Sequence, residues 1–104
     1  MHSGKFRLEA TPLFGMELEQ ALNYIETQLS NHAAADKLQT DVETAVRERL
    51  SAPTSFEPIA SRVDREHPYC RIYVDNYIVF YCVIGNVMEL RRFIYKGRNW
   101  KIQI

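Results

Sequence analysis

The sequence predicts an α+β domain: a helical hairpin packed on one face of a small antiparallel sheet, in the order β-α-α-β-β-β. Three observations carry this. An alternating segment, "KFRLEA", stands near the start, and two long segments with apolar residues spaced by three and four come after it. Three further alternating segments, separated by polar or glycine dipeptides, close the chain. A length of 104 residues suits one domain over 1–104, with room for a single main core.

In "KFRLEA", Phe6, Leu8 and Ala10 alternate with Lys5, Arg7 and Glu9, the pattern of a half-buried strand that Thr11-Pro12 ends. From about Leu13 to Leu29 the period lengthens, and Leu18, Ala21, Leu22, Ile25 and Leu29 fall on one helical stripe. Ser30-Asn31-His32 interrupts it, and Asn31 is suited to cap a second helix. There Ala35, Leu38, Val42, Ala45, Val46 and Leu50 form another stripe, stopped by Ser51-Ala52-Pro53. So short a link makes the two helices an antiparallel hairpin. Residues 53–68 hold Pro53, Pro58 and Pro68 and read as a loop. Strands are expected next over about 69–74, 77–84 and 87–96, with turns at Asp75-Asn76 and Gly85-Asn86, dipeptides that tolerate the positive φ of tight hairpins.

Two-residue turns fix the register and so decide which side chains share a face. One face receives Cys70, Ile72, Val74, Tyr77, Val79, Tyr81, Val83, Met88, Leu90, Arg92 and Ile94; being nearly all apolar, it is expected against the helices. The other receives Tyr69, Arg71, Tyr73, Ile78, Phe80, Cys82, Ile84, Val87, Glu89, Arg91, Phe93 and Tyr95, with Arg71, Phe80 and Arg91 in one cross-strand row. Guanidinium groups beside a ring suit an oligonucleotide: arginine takes phosphate, and the ring stacks on a base for about 1–3 kcal/mol. The competing reading is a second small core of Phe80, Phe93 and Ile84 beneath the 53–68 loop, with the arginines at its rim.

The formal net charge of zero hides a split. Residues 1–61 hold five Lys/Arg against nine Asp/Glu, and residues 62–104 hold eight against four, so the halves carry −4 and +4. A basic half folded on an acidic one suits an anionic partner; solvated charge distributed without function fits the counts equally. Cys70 and Cys82 are too few for a disulfide framework or metal cluster, and the register puts them on opposite faces, as free buried thiols. No phosphate-binding glycine loop, HExxH or CxxC is present, so no metal or cofactor is expected. His67, in "DREHPY", is the histidine nearest the basic face and reads as a structural residue before a proline. No apolar run approaches the roughly 20 residues of a membrane helix, and "MHSGKFRLEA" lacks the apolar stretch of an export signal, so the cytoplasm is expected.

Three segments in order carry a family resemblance. "LSNHAAADKLQTDVETAVRERLSAP" is similar to the second helix of the RelE/ParE superfamily of type II toxin–antitoxin toxins. "YCRIYVDNYIVFYCV" resembles its central hairpin, and "ELRRFIYKGRNW" its closing strand and basic cluster. The likeness covers nearly the whole chain, and the family's element order is the one read above. It implies a growth-arresting toxin of the plasmid-stabilisation kind, cytoplasmic and silenced in a hetero-oligomer with a cognate antitoxin encoded beside it. Its target is either DNA gyrase, inhibited by ParE-like members, or the ribosome with mRNA, which RelE-like members cut using the substrate's own 2′-hydroxyl.

Carried over residue by residue, the resemblance assigns the basic position of the first hairpin strand to Arg71. It assigns the His/Tyr position of the closing strand to Tyr95, and the basic cluster after it to Lys96 and Arg98. With Arg91 from the row, Arg71, Tyr95 and Arg98 are the catalytic candidates of a nuclease. Arg71, Phe80, Arg91, Lys96 and Arg98 are the nucleic-acid-binding candidates. Two departures stand out. The position after the hairpin aromatic, an arginine in RelE-like nucleases, is Ile78, and their C-terminal tyrosine has no counterpart in these 104 residues, Trp100 being the nearest aromatic. Cleavage also needs a base and an acid. Glu89 is the lone carboxylate on the expected face, and a tyrosine at its ordinary pKa of about 10 is a poor base at neutral pH. The departures favour gyrase inhibition over mRNA cleavage.

Overall fold

The computed structural model describes residues 5–59 and 66–104. Strand β1 (Arg7–Ala10) leads into α1 (Pro12–Asn23), which continues as a π-helical segment over Tyr24–Gln28. Then come α2 (His32–Leu50), the strands β2 (Cys70–Val74), β3 (Tyr77–Ile84) and β4 (Val87–Tyr95), and a short α3 (Trp100–Gln103). The sheet order is β1-β4-β3-β2. The meander is antiparallel as expected, but β1 runs parallel to β4, so the sheet is mixed. Parallel neighbours need a long crossover, which the helical layer supplies; alternation along "KFRLEA" gives a strand without its direction of pairing. The loop read over 53–68 lies partly outside the described residues, since 60–65 belong to neither described segment.

Thr11 ends β1 and also starts α1. Its Oγ1 accepts from the amide of Phe14 at 3.2 Å, and Pro12 fills a first-turn position where no donor is needed. Asn31 caps α2 as expected, its Oδ1 accepting from the amide of Ala34 at 3.0 Å. Between them the helix widens. The Thr27 hydroxyl donates to the carbonyl of Asn23 at 2.7 Å, the acceptor an α-helical amide at that position takes, and the amide of Leu29 reaches back to Tyr24 at 3.3 Å. The wider turn rotates the residues after it, and Leu29, expected on the apolar stripe, is exposed.

The β2–β3 register is the expected one, Cys70 opposite Tyr81 through Val74 opposite Tyr77, with Asp75 at a left-handed φ of 53°. The β3–β4 pair starts as expected from Gly85 (φ 60°) and holds as far as Tyr81 opposite Leu90. There a β-bulge leaves Arg91 unopposed and sets Phe80 against Arg92. Every side chain beyond it changes face. Phe93 enters the main core and Tyr95 joins Tyr77 on the helix side, while Ile94 enters the opposite cluster. Without the bulge, Arg92 would lie under the helices and Phe93 outside them, so apolar burial favours the extra residue.

Two clusters hold the domain. The main one joins Phe14, Leu38, Val42 and Val46 to Ile72, Val79, Tyr81, Met88, Leu90 and Phe93. The second lies on the outward face, where Ile78, Phe80, Cys82 and Ile94 are covered by Tyr69, Ile59, Trp100 and Ile104. The second-core reading therefore fits better than an open aromatic face, with different members: Phe93 belongs to the main core and Ile84 is exposed. Much of the cover comes from α3 and the residue after it, which periodicity does not mark. Cys70 and Cys82 are free and buried, one in each cluster.

Burial raises the pKa of both thiols and of the Tyr77 and Tyr81 hydroxyls. The folded chain therefore keeps protons that the unfolded chain, with thiols near ~8.5 and phenols near ~10, releases. The stability these groups provide is complete below about pH 8.5 and lost as pH rises through the raised folded values. The urea midpoint should fall as pH rises from about 8.5 to 10.5. A Cys70→Ala, Cys82→Ala double variant should delay the onset of that fall into the tyrosine range; an unchanged onset would remove the thiols as its cause.

Candidate functional site

The site residues read from the sequence separate into two places. On the outward face, Arg71 is exposed, with its guanidinium 5.6 Å from the Tyr73 ring and 5.8 Å from the Trp100 ring. Arg91, the bulged residue, donates to Glu89 Oε1 at 2.7 Å and lies 5.8 Å over the Tyr69 ring. Phe80, expected between these two arginines as a base-stacking ring, has no exposed surface; Trp100 packs on it at 5.3 Å and Tyr69 at 6.5 Å. Its partner across β4 is Arg92, not Arg91. The row of two guanidinium groups around an open ring is therefore absent, and the outward face offers Arg71 and a neutralised Arg91.

Tyr95, Lys96 and Arg98 lie at the end of β4 and just after it. The amide of Lys96 donates to the carbonyl of Asn76 at 2.7 Å and that of Arg98 to Tyr95 at 3.0 Å, so this stretch is folded back on the β2–β3 turn. A Cβ at Gly97 would run into the Tyr95 ring, so glycine lets that ring lie close against the turn. Tyr95 and Arg98 line a groove of about 660 Å³ between the first helix and the β3–β4 ends. Tyr24, Tyr77 and Phe93 supply its aromatic wall, and Gln20, Asn76 and Glu17 its polar groups. Tyr77 stacks on Phe93 at 4.8 Å and meets Tyr95 edge-on at 5.6 Å. Burial, then the neighbouring Tyr95 and Tyr24, hold the Tyr77 hydroxyl in its neutral form.

Sequence reasoning reached Tyr95 and Arg98 through the resemblance but missed Tyr24, Gln20 and Tyr77 as their neighbours. The bulge moves Tyr95 to the helix side, and no glycine or proline in "ELRRFIY" announces it.

The carboxylates near both places are engaged. Glu89 is tied to Arg91, and Glu17 accepts from Arg92 at 2.8–3.2 Å and from the amide of Phe93 at 2.9 Å. Ile78, standing where a RelE-like nuclease has arginine, is fully buried in the second cluster. His67 is half-buried beside Glu66 at 3.6 Å. Among the described residues no group of three or more His, Cys, Asp or Glu is gathered as for a metal ion, and no helix is long and apolar enough to cross a membrane.

No protein-family model matches the chain, and no curated protein is similar enough to match it. Among solved structures it is similar to a chain of the chromosomal ParDE TA system from P. aeruginosa. The two are 15% identical with a TM-score of 0.73, and the likeness covers 89% of this chain and 98% of that one. The fold is RelE/ParE-like. In this RelE/ParE-like frame the groove and the outward face lie on opposite sides of the sheet. Residues that one face was expected to gather, Arg71 and Tyr95, therefore stand on different sides of it.

Proposed function

We propose that this chain is the toxin of a type II toxin–antitoxin pair, neutralised by an antitoxin encoded beside it, and that it acts as a ParE-like inhibitor of DNA gyrase. The toxin reading rests on a RelE/ParE-like fold that extends over most of the chain and on the three motif segments that pointed to it. The choice of gyrase rests on one observation: the groups an RNA-cutting site needs are committed elsewhere. Ile78 presents no cation, Glu89 is neutralised by Arg91, and Phe80 is sealed from any base. Cleavage through a 2′-hydroxyl requires a base within reach of that proton and cations around the phosphate.

The second reading is ribosome-dependent mRNA cleavage. Its support is the meeting of Tyr95 with Arg98 in one groove, a phenol beside a cation that has no ion pair among the described residues.

Induced alone in bacteria, the chain should arrest growth; soluble protein accumulating without arrest would remove the toxin reading. Purified protein should block supercoiling by gyrase and leave mRNA on translating ribosomes intact. Cleavage at A-site codons with untouched supercoiling would reverse the choice. In that case Arg98→Ala should slow cleavage about 100-fold or more, the loss expected when a group stabilising transition-state charge is removed. Arg71→Ala, on the other side of the sheet, should leave the chemical step unchanged.

A further inference from the structure

Strand β2 is an edge strand, and among the described residues its outer side is open over a short, defined stretch. The two-residue turn makes Val74 and Tyr77 a hydrogen-bonded pair, so Cys70, Ile72 and Val74 point their backbone groups at β3. Tyr69, Arg71 and Tyr73 point theirs outward. Two of those outward groups are occupied: the Tyr69 carbonyl accepts from the amide of Ile59 at 2.8 Å, and the Arg71 carbonyl from Arg49 Nη1 at 3.2 Å. The amide of Arg71 and both the amide and carbonyl of Tyr73 have no partner among the described residues.

Side chains mark both faces of the same edge. On the outward face Arg71 has no ion pair among the described residues, and Tyr73 is 54% exposed. On the helix side a cleft of about 420 Å³ opens beside Ile72, walled by Ala45, Ala52 and Phe56. Edge strands attract added strands unless something blocks them, and here three backbone groups have no partner among the described residues, beside a cation and an apolar cleft.

We propose that the β2 edge is a strand-addition site for an extended segment of a partner protein that carries an apolar residue beside an acidic one. Neighbouring side chains of an added strand point to opposite faces. The residue opposite Ile72 enters the cleft, the one opposite Arg71 brings a carboxylate to the guanidinium, and the one opposite Tyr73 packs on its ring. Backbone hydrogen bonds give affinity, and the alternating pockets give the order apolar, apolar, acidic. The site is independent of the toxin reading, since the open groups of the edge alone define it.

The test is a titration of the ¹⁵N-labelled full chain with a blocked heptapeptide whose central residues are Tyr-Val-Glu. The amides of Arg71 and Tyr73 should shift and become protected from hydrogen exchange, while Cys70, Ile72 and Val74 stay as protected as before. A peptide with lysine in place of glutamate should bind about tenfold or more weakly, as like charges then meet at Arg71. Tyr73→Pro removes an amide the fold does not use, so the variant should melt close to wild type and lose the peptide. Three results would each overturn the site: no shift at millimolar peptide, binding unchanged in folded Tyr73→Pro, or protection of Arg71 and Tyr73 that rises with protein concentration alone. The last would mean that two copies pair at this edge.

Discussion

Replacing Glu17 with alanine is expected to destabilise the fold by about 3 kcal/mol, because a part-buried Arg92 and the amide of Phe93 lose their shared acceptor together. For a domain of this size that lowers the melting temperature by roughly 12–24 °C. Three groups depend on this carboxylate. Arg92 donates to it through Nε and Nη2 at 2.8–3.2 Å, and the amide of Phe93 donates at 2.9 Å. That amide lies on the edge of β4 where β1 has already ended at Ala10 opposite Leu90, so no strand can take it. The side chains of Arg92 and Glu17 are 17% and 14% exposed, so water replaces the lost partner only in part. Arg92 also donates to the carbonyl and side-chain oxygens of Gln103, at 3.2 and 3.1 Å, so the loss should loosen α3 as well. Glu17→Gln keeps an acceptor for the Phe93 amide and should fall between wild type and alanine. Thermal melts by circular dichroism decide it; an alanine variant melting within a few degrees of wild type would mean that the clasp adds little.

Much of this fold is legible because its signals are local. Asp75-Asn76 dictates one register for β2 and β3, and the structure has that register pair by pair. Asn31 caps the second helix because an amide oxygen three residues before a free N–H is a local event. The features that were not legible depend on distant partners. Arg91 and Arg92 are adjacent and alike in sequence. Only the start of α1 distinguishes them: Thr11 donates to the carbonyls of Leu90 and Arg91 just where the ladder slips, and Glu17 waits for Arg92. The short α3 is too brief to show a period, yet it decides whether Phe80 is a surface or a core residue. The groove was half visible. Tyr95 and Arg98 came from the closing motif, while Tyr24 faces them only through the packing of the first helix against the sheet.

Phe80→Ala should therefore behave as a core deletion, at about 3–5 kcal/mol, and not as the loss of a nucleic-acid contact. The ring has no exposed surface and packs against Tyr69 and Trp100, and its removal empties the centre of the second cluster. Any growth arrest lost with it would result from unfolding, so the variant says nothing about function unless its stability is measured beside it. Arg71→Ala is the contrast on the same cross-strand pair. Its side chain is exposed and without an ion pair among the described residues, so its removal should change stability by no more than about 0.5 kcal/mol. Urea denaturation of the two variants, tracked through Trp100, the sole tryptophan and itself in contact with Phe80, measures both at once. If Phe80→Ala is as stable as wild type, α3 does not seal the outward face, and the base-stacking reading of Phe80 returns. If it is strongly destabilised while Arg71→Ala is not, Arg71 is the residue on this face whose effect on growth arrest or supercoiling can be read as contact with a target.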